Sequence, residues 1–153
     1  MSRFVVGVDL GTTNCSLAYT EAEDASAEAS SAPIVHLEIP QVVGLNDVAA
    51  RPLLPSFLYL AGPKEFPPKA LDLPWMAMPD RTVGVFGRDH GAKVPGRLVS
   101  SAKSWLSHAG VDRRAGILPW TAAADVEAIT PVDASAAYLE HLRDAWNAAV
   151  AGK

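Results

Sequence analysis

The chain has 153 residues, the length of one ordinary domain, which can bury roughly 70% of its unfolded surface. Its 49% hydrophobic and 20% charged residues, without an apolar run near the roughly 20 residues a membrane span needs, describe a soluble globular composition. A net charge of −4 argues against wholesale nucleic-acid binding, the single Cys15 excludes an intrachain disulfide, and the opening MSRFVVGVDLG lacks a signal-peptide pattern, which points to the cytoplasm.

Residues 4–10 and 15–20 are rich in strand formers and only four residues apart, which predicts a hairpin with a glycine-assisted turn. Residues 21–32, EAEDASAEASSA, hold four acids and no base among Ala and Ser, and read as a solvated, flexible excursion. PIVHLEI (33–39) and LPSFLYL (54–60) read as a third and a fourth strand, each entered through a proline. Residues 61–80 carry five of the twelve prolines, which predicts an irregular surface loop anchored by Trp75 and Met76.

TVGVF (82–86) reads as a further strand, and the GRDHGAKVPG after it as a helix interrupted by Gly91 and Pro95. In 97–108, Leu98, Ala102, Trp105 and Leu106 fall on one side at helical spacing, with Lys103 away from that stripe. The last helix begins with Thr130 as N-cap, Pro131 at the first helical position and Asp133 in the first turn. Leu139, Leu142, Trp146 and Val150 form its apolar stripe and Gly152 stops it. These predicted strands and the helices after them are read as an α/β class, an α+β mixed sheet with flanking helices.

The chemistry concentrates in VVGVDLGTTNCSLAY (5–19). A turn with backbone N–H groups outside the ladder offers convergent donors to a phosphate chain. Gly11 permits close approach, and Thr12 and Thr13 add hydroxyls. A bare Asp9 carboxylate about 4 Å from a phosphate is repelled by roughly 1 kcal/mol in water, so Asp9 there implies a hydrated Mg²⁺ between them. The same residues also suit a plain hairpin whose Asp supports a convenient Gly turn by hydrogen bonds. Neither GxxxxGK[ST] nor GxGxxG is present.

Seven of the thirteen Lys and Arg lie between Arg81 and Arg114, either as a solvated face or as a local field for an anion. Cys15 reads as a small apolar filler or as a reactive thiol. The four histidines have no metal-ligand spacing, and Tyr138 and Trp146 read as packing residues.

VVGVDLGTTNCSLAY resembles the first phosphate motif of the actin-like, ribonuclease H-like ATPase fold, and its GTTN is similar to the seventy-kilodalton heat-shock chaperones of the DnaK type. RPLLPSFLYL resembles that family's TPS-plus-strand segment. VGVFGRDHGAKVPGRLVSSAKSWL resembles its strand and helical pair ending at the active-site lysine, and ITPVDASAAYLEHLRDAW its helix opening with Ser/Thr-Pro. The resemblance implies that Asp9 holds the hydrated Mg²⁺, that Gly11, Thr12, Thr13 and Asn14 contact the ATP or ADP phosphates, and that Lys103 steadies the γ-phosphate and the attacking water.

The resemblance further implies that residues 1–153 form the N-terminal part of the first lobe of an ATPase domain, with 21–32 and 61–80 as insertions. The family's second lobe, adenosine motif and catalytic carboxylate are not among these residues. The expectation is therefore a piece of a longer stress-response chaperone that is inactive alone, self-associates through an exposed apolar face, and meets client peptides and co-chaperones through other regions. The reversed Cys and Ser of NCSLAY, LPS in place of TPS, and the two long connections indicate a divergent bacterial branch. A sugar kinase of the same superfamily and a non-enzymatic adaptor that keeps only the fold are the alternatives.

Overall fold

The computed structural model describes residues 3–22 and 33–151. Nine strands and three helices make a mixed α+β arrangement of small sheets among these residues. Strand β1 (Phe4–Leu10) and strand β2 (Asn14–Glu21) form the predicted hairpin, in register from Phe4 opposite Glu21 to Leu10 opposite Cys15. The far edge of β2 is shared end to end by two short strands, β3 (Val35–His36) and β6 (Leu54–Pro55). Every ladder between the named strands is antiparallel, so the parallel component of the expected mixed sheet is not found among them.

The strand expected at 33–39 ends after two residues, and Ile39 instead opens a hairpin to which the sequence reading assigns no element. Its strands β4 (Ile39–Gly44) and β5 (Asp47–Arg51) meet at a turn over Leu45 and Asn46, with Asn46 at φ 59°. Asn tolerates that left-handed conformation better than most residues.

The strand expected at 54–60 divides at Ser56. Leu54 and Pro55 pair with β2, whereas β7 (Phe57–Leu60) is the centre of another sheet, between β8 (Arg81–Val83) and β9 (Leu98–Ser100). Residues 61–80 carry no helix or strand beyond the isolated Leu73–Met76 bridge. Phe66 holds this loop by edge-on contacts with Tyr59, Phe86 and His90, and Trp75 meets His141 edge-on, while Met76 is exposed and bonds through its backbone to Leu73 of the same loop.

Two helical boundaries also move. TVGVF does not continue as a strand: Gly84 turns the chain at φ 96°, and helix α1 (Val85–Gly91) starts immediately after it. A Cβ on Gly84 would lie 2.4 Å from the Gln41 side-chain carbonyl, which accepts from the Val85 N–H at 3.0 Å and so caps α1 from β4. The β-propensity of Val85 and Phe86 yields to this tertiary cap.

The helix expected over 97–108 is interrupted likewise. Leu98, Val99 and Ser100 take the free edge of β7 with Val99 fully buried, Ser101 adopts φ 54°, and only Ala102–Leu106 is helical, as α2.

Helix α3 (Pro131–Trp146) begins where the sequence predicts. The Thr130 hydroxyl accepts from the Asp133 N–H at 2.9 Å and donates to the Asp133 carboxylate at 2.8 Å, closing a reciprocal cap around Pro131. Three residues of the expected stripe pack against the core, Leu142 buried and Trp146 and Val150 partly buried, whereas Leu139 is 42% exposed and Ala134, Ala137, Tyr138, His141 and Ala145 complete the inward face. Alanines let the helix approach the sheet closely, which outweighs the greater apolar area of Leu139. The predicted stop at Gly152 lies outside the described residues.

Tyr138 and Leu142 pack with Cys15, Leu17, Leu54, Leu58 and Val99 in the main core, and a second cluster of Val42, Tyr59, Leu71 and Phe86 lies apart from it. Among the described residues no helix is long and apolar enough to cross a membrane.

Candidate functional site

The bend between β1 and β2 spans Gly11, Thr12 and Thr13. A Cβ on Gly11 would stand 2.0 Å from the Asn14 carbonyl oxygen, an overlap with backbone that no side-chain adjustment relieves. Glycine is therefore required by the closure of the bend itself.

The bend rests on a buried polar pair. Ser56 donates its hydroxyl to the Gly11 carbonyl at 2.8 Å and its N–H to the Thr13 carbonyl at 2.9 Å, so one residue clasps both limbs. The Ser56 hydroxyl also lies 3.2 Å from the Cys15 sulfur. Burial pushes the Cys15 thiol up, and Asp9 adds to this, while the bonds from Ser56 and Gly11 and the Lys103 charge oppose it. A thiol held protonated in the core behaves as the packing residue and not as a nucleophile. Tyr138 is buried in the same core, and its hydroxyl, pushed up by burial and then by Cys15, has no hydrogen-bond partner among the described residues.

Above this base the side chains face water. Asp9, Thr12, Thr13 and Lys103 are exposed, and Gly11 and Asn14 are half-buried. Lys103, carried on α2, donates its ammonium to the Leu10 carbonyl at 2.6 Å, closing a separation of 93 residues. Five of the residues singled out in the sequence are thus consecutive around one turn or next to it, and the sixth, Lys103, is brought there by the fold.

Other basic residues of the 81–114 stretch point elsewhere. Arg81 and Arg88 pair with their neighbours Asp80 and Asp89, and Arg97 binds Asp125 and approaches Glu65. Of the basic residues in this stretch, Lys103 is the one whose side chain is bonded at the bend.

Among the described residues no group of three His, Cys, Asp or Glu side chains could hold a metal ion. Asp9 is a lone exposed carboxylate. That donor set fits a cation that keeps most of its water and shares the rest of its shell with phosphate, and it does not fit a metal bound by protein ligands alone.

The Ser56–Cys15 support is the part of the site that sequence reasoning missed. The signal was the LPS segment, which resembles the family's TPS, with a small hydroxyl at the break of a strand. Two cavities lie away from the bend: one of about 790 Å³ bounded by 61–72 and 78–80, and one of about 640 Å³ that includes Arg81, Arg97, Asp125 and Glu140. Neither includes a bend residue. Compared with known protein families, with curated proteins and with solved structures, the chain finds no match in any of the three.

Proposed function

We propose that the chain carries the first phosphate-binding element of an ATP-dependent molecular chaperone of the DnaK type. One observation carries the reading: the Lys103 ammonium, 93 residues away in sequence, sits 2.6 Å from the Leu10 carbonyl at the mouth of the Gly11–Thr13 bend. The arrangement sets a distant cation beside exposed hydroxyls, the set of donors that an anion at the turn would take.

In this reading the bend and the Thr12 and Thr13 hydroxyls bind the β- and γ-phosphate oxygens, and Asn14 lines the exit into β2. Asp9 orients a hydrated Mg²⁺, which supplies charge neutralisation between carboxylate and phosphate. Lys103 leaves the weak Leu10 carbonyl for the more strongly negative γ-phosphate, where a compact ammonium stabilises developing charge. Hydrolysis also needs an adenosine-binding element and a catalytic carboxylate, which the reading does not place among these residues. Recognition of client peptides and co-chaperones, and a cytoplasmic stress-response role, belong to the same proposal.

Titration of the chain with a fluorescent ATP analogue and Mg²⁺ tests it. Saturable binding in the high micromolar to millimolar range is expected, without turnover. Lys103→Ala should weaken binding about fivefold or more, as the loss of one solvent-facing charged contact does. Absent binding, or binding that Lys103→Ala and Thr13→Val leave unchanged, would remove the reading. Turnover at the rate of a complete chaperone would overturn the need for further elements.

A further inference from the structure

The proline-rich loop bounds the larger of the two cavities that lie away from the bend, and that cavity has no part in the nucleotide reading. Twenty residues separate β7 from β8, far more than the connection needs, and an ordered loop of that length is usually functional. This one is pinned at two places: the Ala61 N–H donates to the Asp80 carbonyl at 2.9 Å, and the Met78 N–H to the Asp72 carboxylate at 2.7 Å. The limbs 61–72 and 78–80 so joined bound about 790 Å³, within the roughly 300–1,000 Å³ range of small-molecule sites.

The backbone of this wall is strained. Of the five non-glycine residues with positive φ among the described residues, three line the cavity: Lys64 at 60°, Lys69 at 67° and Met78 at 47°. Such conformations persist where the surrounding structure over-determines them, and they gather at ligand clamps. Four prolines in the same wall, Pro63, Pro67, Pro68 and Pro79, fix their own φ, so the shape is set before any ligand arrives.

The charges of the wall point to the class of ligand. Three carboxylates line the cavity, and each already has a partner in the protein. Glu65 accepts from the Tyr59 hydroxyl and the Gly62 N–H, Asp72 accepts from the Met78 N–H, and Asp80 pairs with Arg81. The ammonium groups of Lys64 and Lys69 have no partner among the described residues, and both residues are exposed. The polar groups left over to bind are therefore cationic donors, which call for an anion. The rest of the wall is apolar, with Phe66 and a Met78 that is 73% exposed beside the prolines. Phe66 already meets Tyr59, Phe86 and His90 edge-on, and a planar ring seated against it extends the same geometry.

We propose that this cavity binds a small aromatic carboxylate, its ring against Phe66 and Met78 and its carboxylate on Lys64 and Lys69. The site shares no residue with the bend, so failure of one reading leaves the other standing.

Isothermal titration calorimetry of the chain with 2-naphthoate, without nucleotide, tests it. Saturable one-to-one binding is expected, with a dissociation constant of about 0.1–1 mM for a ligand of this size. Naphthalene-2-carboxamide, which keeps the ring and loses the charge, should bind about tenfold more weakly, and acetate, which keeps the charge and loses the ring, should not saturate. Lys64→Gln combined with Lys69→Gln should weaken 2-naphthoate about tenfold and leave the carboxamide unchanged, whereas Met78→Ser should weaken both about threefold. Circular dichroism checks that each variant folds, and if the lysine variant does not, the comparison of the three ligands on the unaltered chain decides. Absent saturation, equal affinities for 2-naphthoate and its carboxamide, a folded lysine variant that binds 2-naphthoate as before, or displacement of 2-naphthoate by ATP and Mg²⁺, which would place the anion at the bend, would overturn the proposal.

Discussion

The bend at Gly11–Thr13 and the cluster beneath the proline-rich loop are both polar constellations held by a buried residue, yet they dispose of their charges in opposite ways. In the loop cluster the Glu65 carboxylate takes the Tyr59 hydroxyl at 2.5 Å and the Gly62 N–H at 2.7 Å, with His90 at 3.8 Å and Arg97 at 4.0 Å. Arg97 also donates to the Leu60 carbonyl and binds Asp125. The groups satisfy one another, and the result is a strap that fastens 61–72 to β7 and α1. At the bend the buried bonds lie below, in Ser56 and Cys15, while Asp9, Thr12, Thr13 and Lys103 stand exposed above, where Lys103 is bonded to the Leu10 carbonyl. A polar cluster that closes on itself argues for architecture; one that closes only at its base leaves its upper side available to a ligand.

Substitutions test this contrast, and the largest effect belongs to Gly11→Ala. Its methyl would overlap the Asn14 carbonyl, and a loss of about 3 kcal/mol is expected in denaturant titration. A fully stable Gly11→Ala protein would show that the bend relaxes freely and is not a built platform.

Ser56→Ala removes the hydroxyl bond to Gly11 and the contact with Cys15, for an expected loss of about 1.5 kcal/mol, whereas Tyr59→Phe in the strap should lose about 1 kcal/mol. Both are stability effects. Only Ser56→Ala should also weaken nucleotide binding, and equal effects of the two on binding would erase the distinction between site and strap.

His141 provides a pH reading of a group satisfied inside the fold. Burial holds its imidazole below the usual value, although the Nε2–H bond to the Pro40 carbonyl at 2.9 Å and the Asp144 charge oppose the shift. The unfolded chain therefore binds the proton more readily than the folded one. Stability should be constant above about pH 7.5 and decline as pH falls through about 6.5, and His141→Gln should flatten that decline in thermal melts. A decline identical in the variant would assign it to other groups.

The smallest expected stability effect is that of Thr13→Val, within about 0.5 kcal/mol, because its side chain is exposed. Its consequence should appear in nucleotide affinity alone, which is the sharpest separation of the two regions.

Local chemistry made much of this legible. The β1–β2 hairpin, the Thr130–Pro131–Asp133 opening of α3 and the glycine at the bend each depend on residues within a few positions of one another. What the sequence hid depends on distant partners. Gln41 caps α1 across 44 residues, so Val85 and Phe86 leave the strand that their propensities favour. The edge of β7 recruits Val99 and cuts short a helix that spacing alone predicts. Leu139 faces out because the alanines of α3, weak in any hydrophobicity count, are what fit against the sheet. At the site, the bend was visible in its own letters, Lys103 through resemblance, and Ser56 only once the broken strand was seen to join two sheets.

That break carries a mechanical consequence. Ser56 stands between a ladder with β2 on one side and a ladder with β8 and β9 on the other, and it rivets the turn of the first hairpin through its amide and its hydroxyl. Parting the two sheets would strain the bonds that hold the turn, so hydrogen exchange at the Ser56 amide, bonded to Thr13, would gauge whether the whole assembly is still joined.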